Sequence, residues 1–283
     1  MLSYKKKNIY QENISLLKKT RKKKLSVKYD FIYNSSSAEG VHAKLGTIEL
    51  DAAGRLGKHQ KEKFRGEKFI NILLHKKFKT VLDIGAGALG ATNFFLKNNK
   101  IVDIVEYKNS FYFTKKNSKI NKVFFGDFSK IKFSKKYDLI WCSHVLEHQN
   151  NPGLFLKKVH NTLKEGGYLC LIVPPRKPFV ISGHVNIFNA GILIYRLVLS
   201  GFNCRNVKIL QYDYNIIIYL KKKSIPHLPN LNFDFGDLKK LKKYFPSELS
   251  TSNELEGFNG DIMSLNFSKY EKRLLNWNNI MAK

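Results

Sequence analysis

Cysteine is scarce in this 283-residue chain, with three in all, and Cys142, Cys170 and Cys204 show no CxxC spacing. That pattern excludes a disulfide-stapled framework and reads as small core residues in a reducing, cytoplasmic setting. Long apolar runs are also missing: nothing approaches the roughly 18 residues needed to cross a bilayer. The opening Met1-Leu2-Ser3-Tyr4-Lys5-Lys6-Lys7 lacks the apolar h-region of a secretory signal. No repeat recurs at solenoid periods. Acids are few, 22 against 50 Lys and Arg, for a net charge of +28. Arginine is scarcer still: only seven of the 50 cations are Arg, whereas bidentate phosphate reading favours arginine over the easily solvated lysine.

The charge that is present is spread out, with one concentration. Residues 1–28 hold ten Lys or Arg against Glu12 alone, including the run Lys22-Lys23-Lys24, the best candidate for contact with an anionic surface. At 43% hydrophobic, the chain can bury one core of about 160 residues with smaller additions at each end. The expected organisation is a basic, partly helical or disordered extension over 1–62, a catalytic domain over 63–222, and a tail with short helices over 223–283.

The most informative segment is Val81-Leu82-Asp83-Ile84-Gly85-Ala86-Gly87-Ala88-Leu89-Gly90, an apolar strand running into a glycine loop. Gly85, Gly87 and Gly90 fit GxGxxG spacing, in which absent side chains let backbone N–H groups approach a ligand and let the next helix pack closely. Asp83 narrows the ligand. A loop cradling the pyrophosphate of a nicotinamide dinucleotide usually carries an apolar residue here, because a carboxylate repels the anion. A carboxylate suits a cation.

Downstream, strands and helices alternate, which requires a mostly parallel sheet. Strands are expected at Thr80–Ile84, Ile101–Glu106, Lys122–Phe128, Tyr137–Ser143, Tyr168–Val173, 206–211 and 214–220. Between the fourth and fifth, Asn151 caps a helix that starts at Pro152, carries Leu156, Val159 and Leu163 on one face, and stops at Gly166-Gly167. A further helix follows Asn189 and runs to about Ser200.

From about Lys63 to Lys222 this order resembles the class I S-adenosylmethionine-dependent methyltransferases, particularly the small-molecule and saccharide branch and the ubiquinone-biosynthesis group. The resemblance implies a Rossmann-like α/β fold: seven strands ordered 3-2-1-4-5-7-6, the seventh antiparallel, with helices on both faces. It also implies S-adenosyl-L-methionine as cofactor, whose sulfonium and ammonium groups match the carboxylate at Asp83. Asp83, Gly85, Ala86 and Gly87 would line its site with Glu106 at the ribose, Asp127 and Phe128 at the adenine, and Ser143 at the end of the fourth strand. Asp103 competes with Glu106 but lies inside its strand and not at the end.

The chemistry asks the protein for alignment, exclusion of water and removal of a proton where the acceptor carries one. His144 and His148 follow the fourth strand and His184 follows the fifth, so all three sit at the carboxyl edge and are the candidate catalytic bases. His144-Val145-Leu146-Glu147-His148 also matches the HxxEH of inverted zinc proteases, but it begins directly after a buried strand, which disfavours that reading. Ubiquinone-pathway O-methyltransferases carry a carboxylate where this chain has His144, and the Glu-His pair after it, as a divalent-metal site; with the carboxylate replaced, no metal is expected. Asp234-Phe235-Gly236 lacks the companion motifs of a kinase and reads as a turn.

No Asn/Asp-Pro-Pro-aromatic sequence follows the fourth strand, where Ser143-His144-Val145 stands, and no Cys occupies the place of a cytosine-C5 nucleophile. Both absences disfavour base modification. The expected reaction is methyl transfer to a small-molecule or saccharide acceptor, at oxygen. An RNA methyltransferase using the basic surface, and a cofactor-binding scaffold without turnover, are the alternatives.

Overall fold

A computed structural model describes residues 64–113, 117–176, 180–181, 183–249 and 257–276, together with the backbone of 26–27 and 48–49. The chain divides into two units, Met1–Lys61 and Glu62–Lys283. In the first, Ser26–Val27 (β1) pairs antiparallel with Ile48–Glu49 (β2). The rest of the basic extension, including Lys22-Lys23-Lys24, lies outside the described residues.

The second unit is built on one sheet with helices on both faces. In chain order its elements are Glu67–Leu74 (α1), Thr80–Ile84 (β3), Gly90–Lys97 (α2), Ile101–Glu106 (β4), Lys122–Phe125 (β5), Tyr137–Ser143 (β6), Pro152–Thr162 (α3), Leu163–Val173 (β7), Ala190–Leu199 (α4), Lys208–Tyr212 (β8), Asn215–Lys221 (β9), Asp237–Leu241 (α5), Ser264–Leu265 (β10) and Lys269–Leu274 (α6). The sheet order is β10-β8-β9-β7-β6-β3-β4-β5. Strands β5, β4, β3, β6 and β7 run parallel, and β9 joins β7 antiparallel, as expected. The strand count differs from expectation: there are eight, not seven, because β10 pairs antiparallel with β8 and carries the 223–283 segment into the same sheet.

Alternation of side chains along β3 shows why both faces are apolar. Leu82 and Ile84 join Phe155, Leu156 and Leu193 in the core under α3 and α4, while Val81 joins Phe69, Ile72 and Phe95 under α1 and α2. Each such fully buried side chain contributes about 1.5–3 kcal/mol. Asp83 shares the Val81 face and is thereby aimed at α2.

Several expected boundaries move, the last two strands by one or two residues, to Lys208–Tyr212 and Asn215–Lys221. The third strand stops at Phe125, because Gly126 turns the chain at φ 126° and leaves Asp127 and Phe128 in the turn beyond. Helix α3 starts as expected, with the Asn151 side chain accepting from Leu154 N, but ends at Thr162 and not at Gly166-Gly167. Leu163 turns extended there and pairs with Tyr137, starting β7 early; the register then shifts between Tyr137 and Leu139. Lys222 reinforces this junction by donating from Nζ to the carbonyls of His160 (2.6 Å) and Leu163 (3.0 Å). All three cysteines are free and buried. Among the described residues no helix is long and apolar enough to cross a membrane.

Candidate functional site

Carboxyl ends of parallel strands leave a crevice where the order reverses, here between β3 and β6. The glycine loop fills the first part of it. Gly85 has φ 73°, and a Cβ there would lie 2.3 Å from Val145 Cγ2, so only glycine fits. Gly87 is also left-handed, at φ 48°, and its N–H donates to Glu106 Oε2 at 2.7 Å. Glu106 stands at the end of β4, its other oxygen accepting from Tyr107 N at 2.9 Å. The alternative, Asp103, is committed elsewhere: it accepts from Tyr137 Oη (2.7 Å) and Asn121 Nδ2 (2.5 Å) and pairs with Lys135 at 2.8 Å.

Asp83 is buried beside α2 and accepts a 2.5 Å hydrogen bond from Thr92 Oγ1. Burial dominates its acidity and, with the nearby Glu106 charge adding to it against the Thr92 bond, pushes its pKa from 3.8 to about 7. A buried carboxylate in this condition is a site that a cation relieves. Ala86 is buried in the loop. Asp127 accepts from Ser129 N at 2.8 Å in the turn after β5, and Phe128 is buried against Phe155 and Phe133, with ring centroids 5.0 and 5.7 Å away. At the end of β6 the Ser143 hydroxyl is buried and has no hydrogen-bond partner among the described residues.

The three candidate bases do converge, around a fourth residue. His144 begins the turn after β6 in a left-handed conformation, φ 55°, unusual for a residue with a Cβ and a kind of strain that clusters at functional sites. Glu147 follows in a short 3₁₀ turn and is completely buried. Its carboxylate lies 3.4 Å from His144 Nδ1 and 3.8 Å from His148 Nε2, yet neither oxygen accepts a hydrogen bond among the described residues. His184 sets its ring edge-on to that of His148, centroids 4.8 Å apart. Burial lowers the His184 pKa, with the neighbouring histidines adding to the effect and Glu147 opposing it.

The loop carrying His184 is tied to this turn through main chain. Val185 N (2.9 Å) and Asn186 N (3.1 Å) both donate to the Glu147 carbonyl, and Asn186 Nδ2 donates to Gln149 O at 2.6 Å. Asn186 therefore holds the loop in place, and it is Asn189 that caps α4, accepting from Ile192 N at 2.9 Å. Gly183, at φ 79°, lets the loop pass over His148: a Cβ there would lie 3.0 Å from Nδ1.

Three further residues complete the wall and carried no local signal in the sequence. Asn215 Oδ1 sits 3.1 Å from His144 Nε2; the Tyr214 ring stacks on His144 at 5.9 Å; and Arg65 lies over the Tyr214 ring, 5.1 Å from its centroid. They come from the β8–β9 hairpin and from just before α1, distant in sequence from β6.

These residues fit S-adenosylmethionine. The loop gives a cradle that a Cβ at Gly85 would fill, two acids stand at adjacent strand ends, one of them buried and raised in pKa, and the Ser143 hydroxyl is unsatisfied. Asp83 would meet the positive methionine portion, Glu106 the ribose, and the loop amides the backbone of the ligand.

Comparison with known proteins agrees. No curated protein sequence matches the chain. Solved structures with a similar chain path include a Burkholderia thailandensis 1,6-didemethyltoxoflavin-N1-methyltransferase with bound 1,6-didemethyltoxoflavin and S-adenosylhomocysteine (16% identity, 54% of this chain and 76% of that one, TM-score 0.44). Others are a SAM-dependent methyltransferase from Archaeoglobus fulgidus (18%, 53% and 89%, 0.46) and human N-acetylserotonin methyltransferase in complex with SAM (16%, 55% and 49%, 0.43). Likeness at this level leaves the chemistry to be argued from this chain's own residues. The methyltransferase-domain sequence profile matches residues 57–203, more than half of the chain, so this protein belongs to the methyltransferase-domain family and is an S-adenosylmethionine-dependent methyltransferase.

Proposed function

We propose that this enzyme transfers the methyl group to an oxygen of a small-molecule or saccharide acceptor. The observation that carries the reading is the buried Glu147 ringed by His144, His148 and His184 at the carboxyl edge of the sheet. A neutral amine attacks with a lone pair it already has. A hydroxyl is a poor nucleophile until its proton is leaving, so a proton-accepting cluster beside the acceptor is what oxygen chemistry needs.

The cofactor supplies an electrophilic methyl on sulfonium, and the residues supply position and basicity. Asp83, Gly85, Ala86, Gly87, Glu106, Asp127, Phe128 and Ser143 form the cofactor side. On the acceptor side, His184 has no hydrogen bond on its ring nitrogens among the described residues, and its lowered pKa keeps the imidazole neutral and able to receive a proton at neutral pH. His148 is oriented by Gly183 O at 2.6 Å from Nδ1. His144 has Asn215 on one nitrogen and Glu147 on the other, and acts by fixing the carboxylate.

The test is transfer of labelled methyl from S-adenosylmethionine into fractions of a cell extract. Label in a nuclease-resistant small-molecule or saccharide fraction, as an ether stable to mild base, supports the proposal. Label that nuclease releases from RNA overturns it in favour of the basic-surface alternative, and saturable cofactor binding with no transfer to any fraction favours the scaffold.

A further inference from the structure

We propose that a lysine-lined cleft beside α3 binds a nucleoside diphosphate. The cleft encloses about 800 Å³, a size suited to one small ligand, between the 131–136 loop and one face of α3. Leu154, Lys157, Lys158 and Asn161 share that face at i, i+3, i+4 and i+7, and Lys132, Lys135 and Lys136 stand across from them on the loop. No acid lines the cleft. The histidines of the β6 turn, Glu147 and the glycine loop do not line it either, so its occupant is neither the cofactor nor the acceptor.

The ammonium groups divide into two kinds. Lys135 is held by Asp103 at 2.8 Å, which ties the loop to β4, and Lys158 donates from Nζ to the carbonyls of Ser129, at 3.0 Å, and Ile131, which ties it to α3. These two fix the walls. Lys132, Lys136 and Lys157 are exposed and have no ion-pair or hydrogen-bond partner among the described residues. Like charges gathered round a concave surface repel one another, and an anion between them offsets the repulsion. Burial lowers the Lys158 pKa against the opposing charge of Asp127, so negative charge in the cleft also favours its ammonium form. The donor set narrows the anion: lysine is a compact point charge that serves phosphate oxygens, and no arginine fork for a planar carboxylate stands in the lining. A diphosphate matches the three unpaired ammonium groups. Phosphate alone would leave the rest of the cleft unfilled. Ile131, the half-buried Phe133 and Leu154, the last 63% exposed, give it an apolar floor that a nucleobase would cover.

The experiment titrates the full chain with GDP by isothermal calorimetry, with S-adenosylhomocysteine saturating the cofactor site so that the probe cannot enter there. The expected result is one equivalent of GDP, its affinity falling more than about tenfold in Lys132→Ala/Lys136→Ala/Lys157→Ala and in Leu154→Glu. Affinity should hold in Lys97→Ala/Lys119→Ala/Lys242→Ala, which removes the same charge from exposed lysines elsewhere. Every substituted position is exposed, and unchanged S-adenosylhomocysteine binding reports that each variant is folded. Absence of saturable GDP binding overturns the proposal. An equal loss in the two triple variants overturns it too, because it marks diffuse attraction to a basic protein. Inorganic phosphate that binds as tightly as GDP overturns the nucleotide and leaves a bare anion site. An oligouridylate of about ten nucleotides that binds the same cleft more than about a hundredfold tighter than GDP overturns it in favour of an RNA strand. The outcome is independent of the acceptor's identity, since no methyl transfer is read.

Discussion

Replacing Asp83 with Asn separates the folding cost of the cofactor carboxylate from its use. In the ligand-free protein, burial raises the Asp83 pKa from 3.8 to about 7. Because the folded value is the higher one, the unfolded chain loses this proton first. The stability contributed by the protonated folded form is therefore complete below 3.8 and is lost as pH rises toward 7. At about 1.36 kcal/mol per pKa unit, the deficit is about 1.6 kcal/mol at pH 5 and levels near 4 kcal/mol above pH 7. Asn is the same size, neutral at every pH, and its carbonyl oxygen still accepts from Thr92. Whatever its amide costs in that pocket is the same at both pH values. Urea unfolding without ligand should therefore show Asp83→Asn gaining about 2–3 kcal/mol relative to wild type on going from pH 5 to pH 8. Added S-adenosylhomocysteine at a hundredfold over its Kd should stabilise wild type by about 2.7 kcal/mol and the variant far less. A wild-type-to-variant difference that is equal at the two pH values, or a full ligand shift in Asp83→Asn, refutes the argument.

Other perturbations follow from single contacts. Gly85→Ala sets a Cβ 2.3 Å from Val145 Cγ2 at a φ of 73°, and should cost about 1–3 kcal/mol in urea unfolding and weaken the S-adenosylhomocysteine shift. Glu147→Gln keeps shape and removes charge; kcat should fall by about 100-fold with the S-adenosylhomocysteine thermal shift unchanged, measured by labelled-methyl transfer. Lys222→Met removes two charge-assisted bonds at the α3–β7 junction, to His160 O and Leu163 O, and should lower stability by about 2 kcal/mol in urea. Burial pushes all three cysteine pKa values up, so a thiol reagent should find no reactive cysteine in the folded protein and three after unfolding in urea.

How much the chain declares in advance depends on how local the cause is. Strands β3, β4 and β6 coincide with apolar, β-branched runs bounded by glycine or turn residues, and their limits were legible residue for residue. So was the Asn151 cap, since a cap is a property of four consecutive residues, whereas the cap of α4 is Asn189 and no reading of the sequence singled it out. The early start of β7 depends on Tyr137 as a partner and on Lys222, 59 residues past Leu163, so no local window contains it. Strand β10 is two residues long and exists through its pairing with β8, which no periodicity can announce.

The site divides the same way. Asp83, the glycines and Glu106 are marked by their place at strand ends, whereas Arg65, Tyr214 and Asn215 reach the histidines only through the fold. Glu147 was visible as a letter in a motif, but its complete burial, which makes it the centre of the cluster, appears only once β6, β7 and the 183–187 loop have closed over it.

One feature of that closure concerns inheritance more than chemistry. The loop bearing His184 hangs on the main-chain carbonyl of residue 147, while the charge belongs to the side chain. Any amino acid able to sit in the turn offers the same carbonyl, so the enclosure persists when the side chain is exchanged. A lineage of such enzymes is therefore free to vary the acid at this point, and with it the acceptors it can activate, without rebuilding the chamber in which they react.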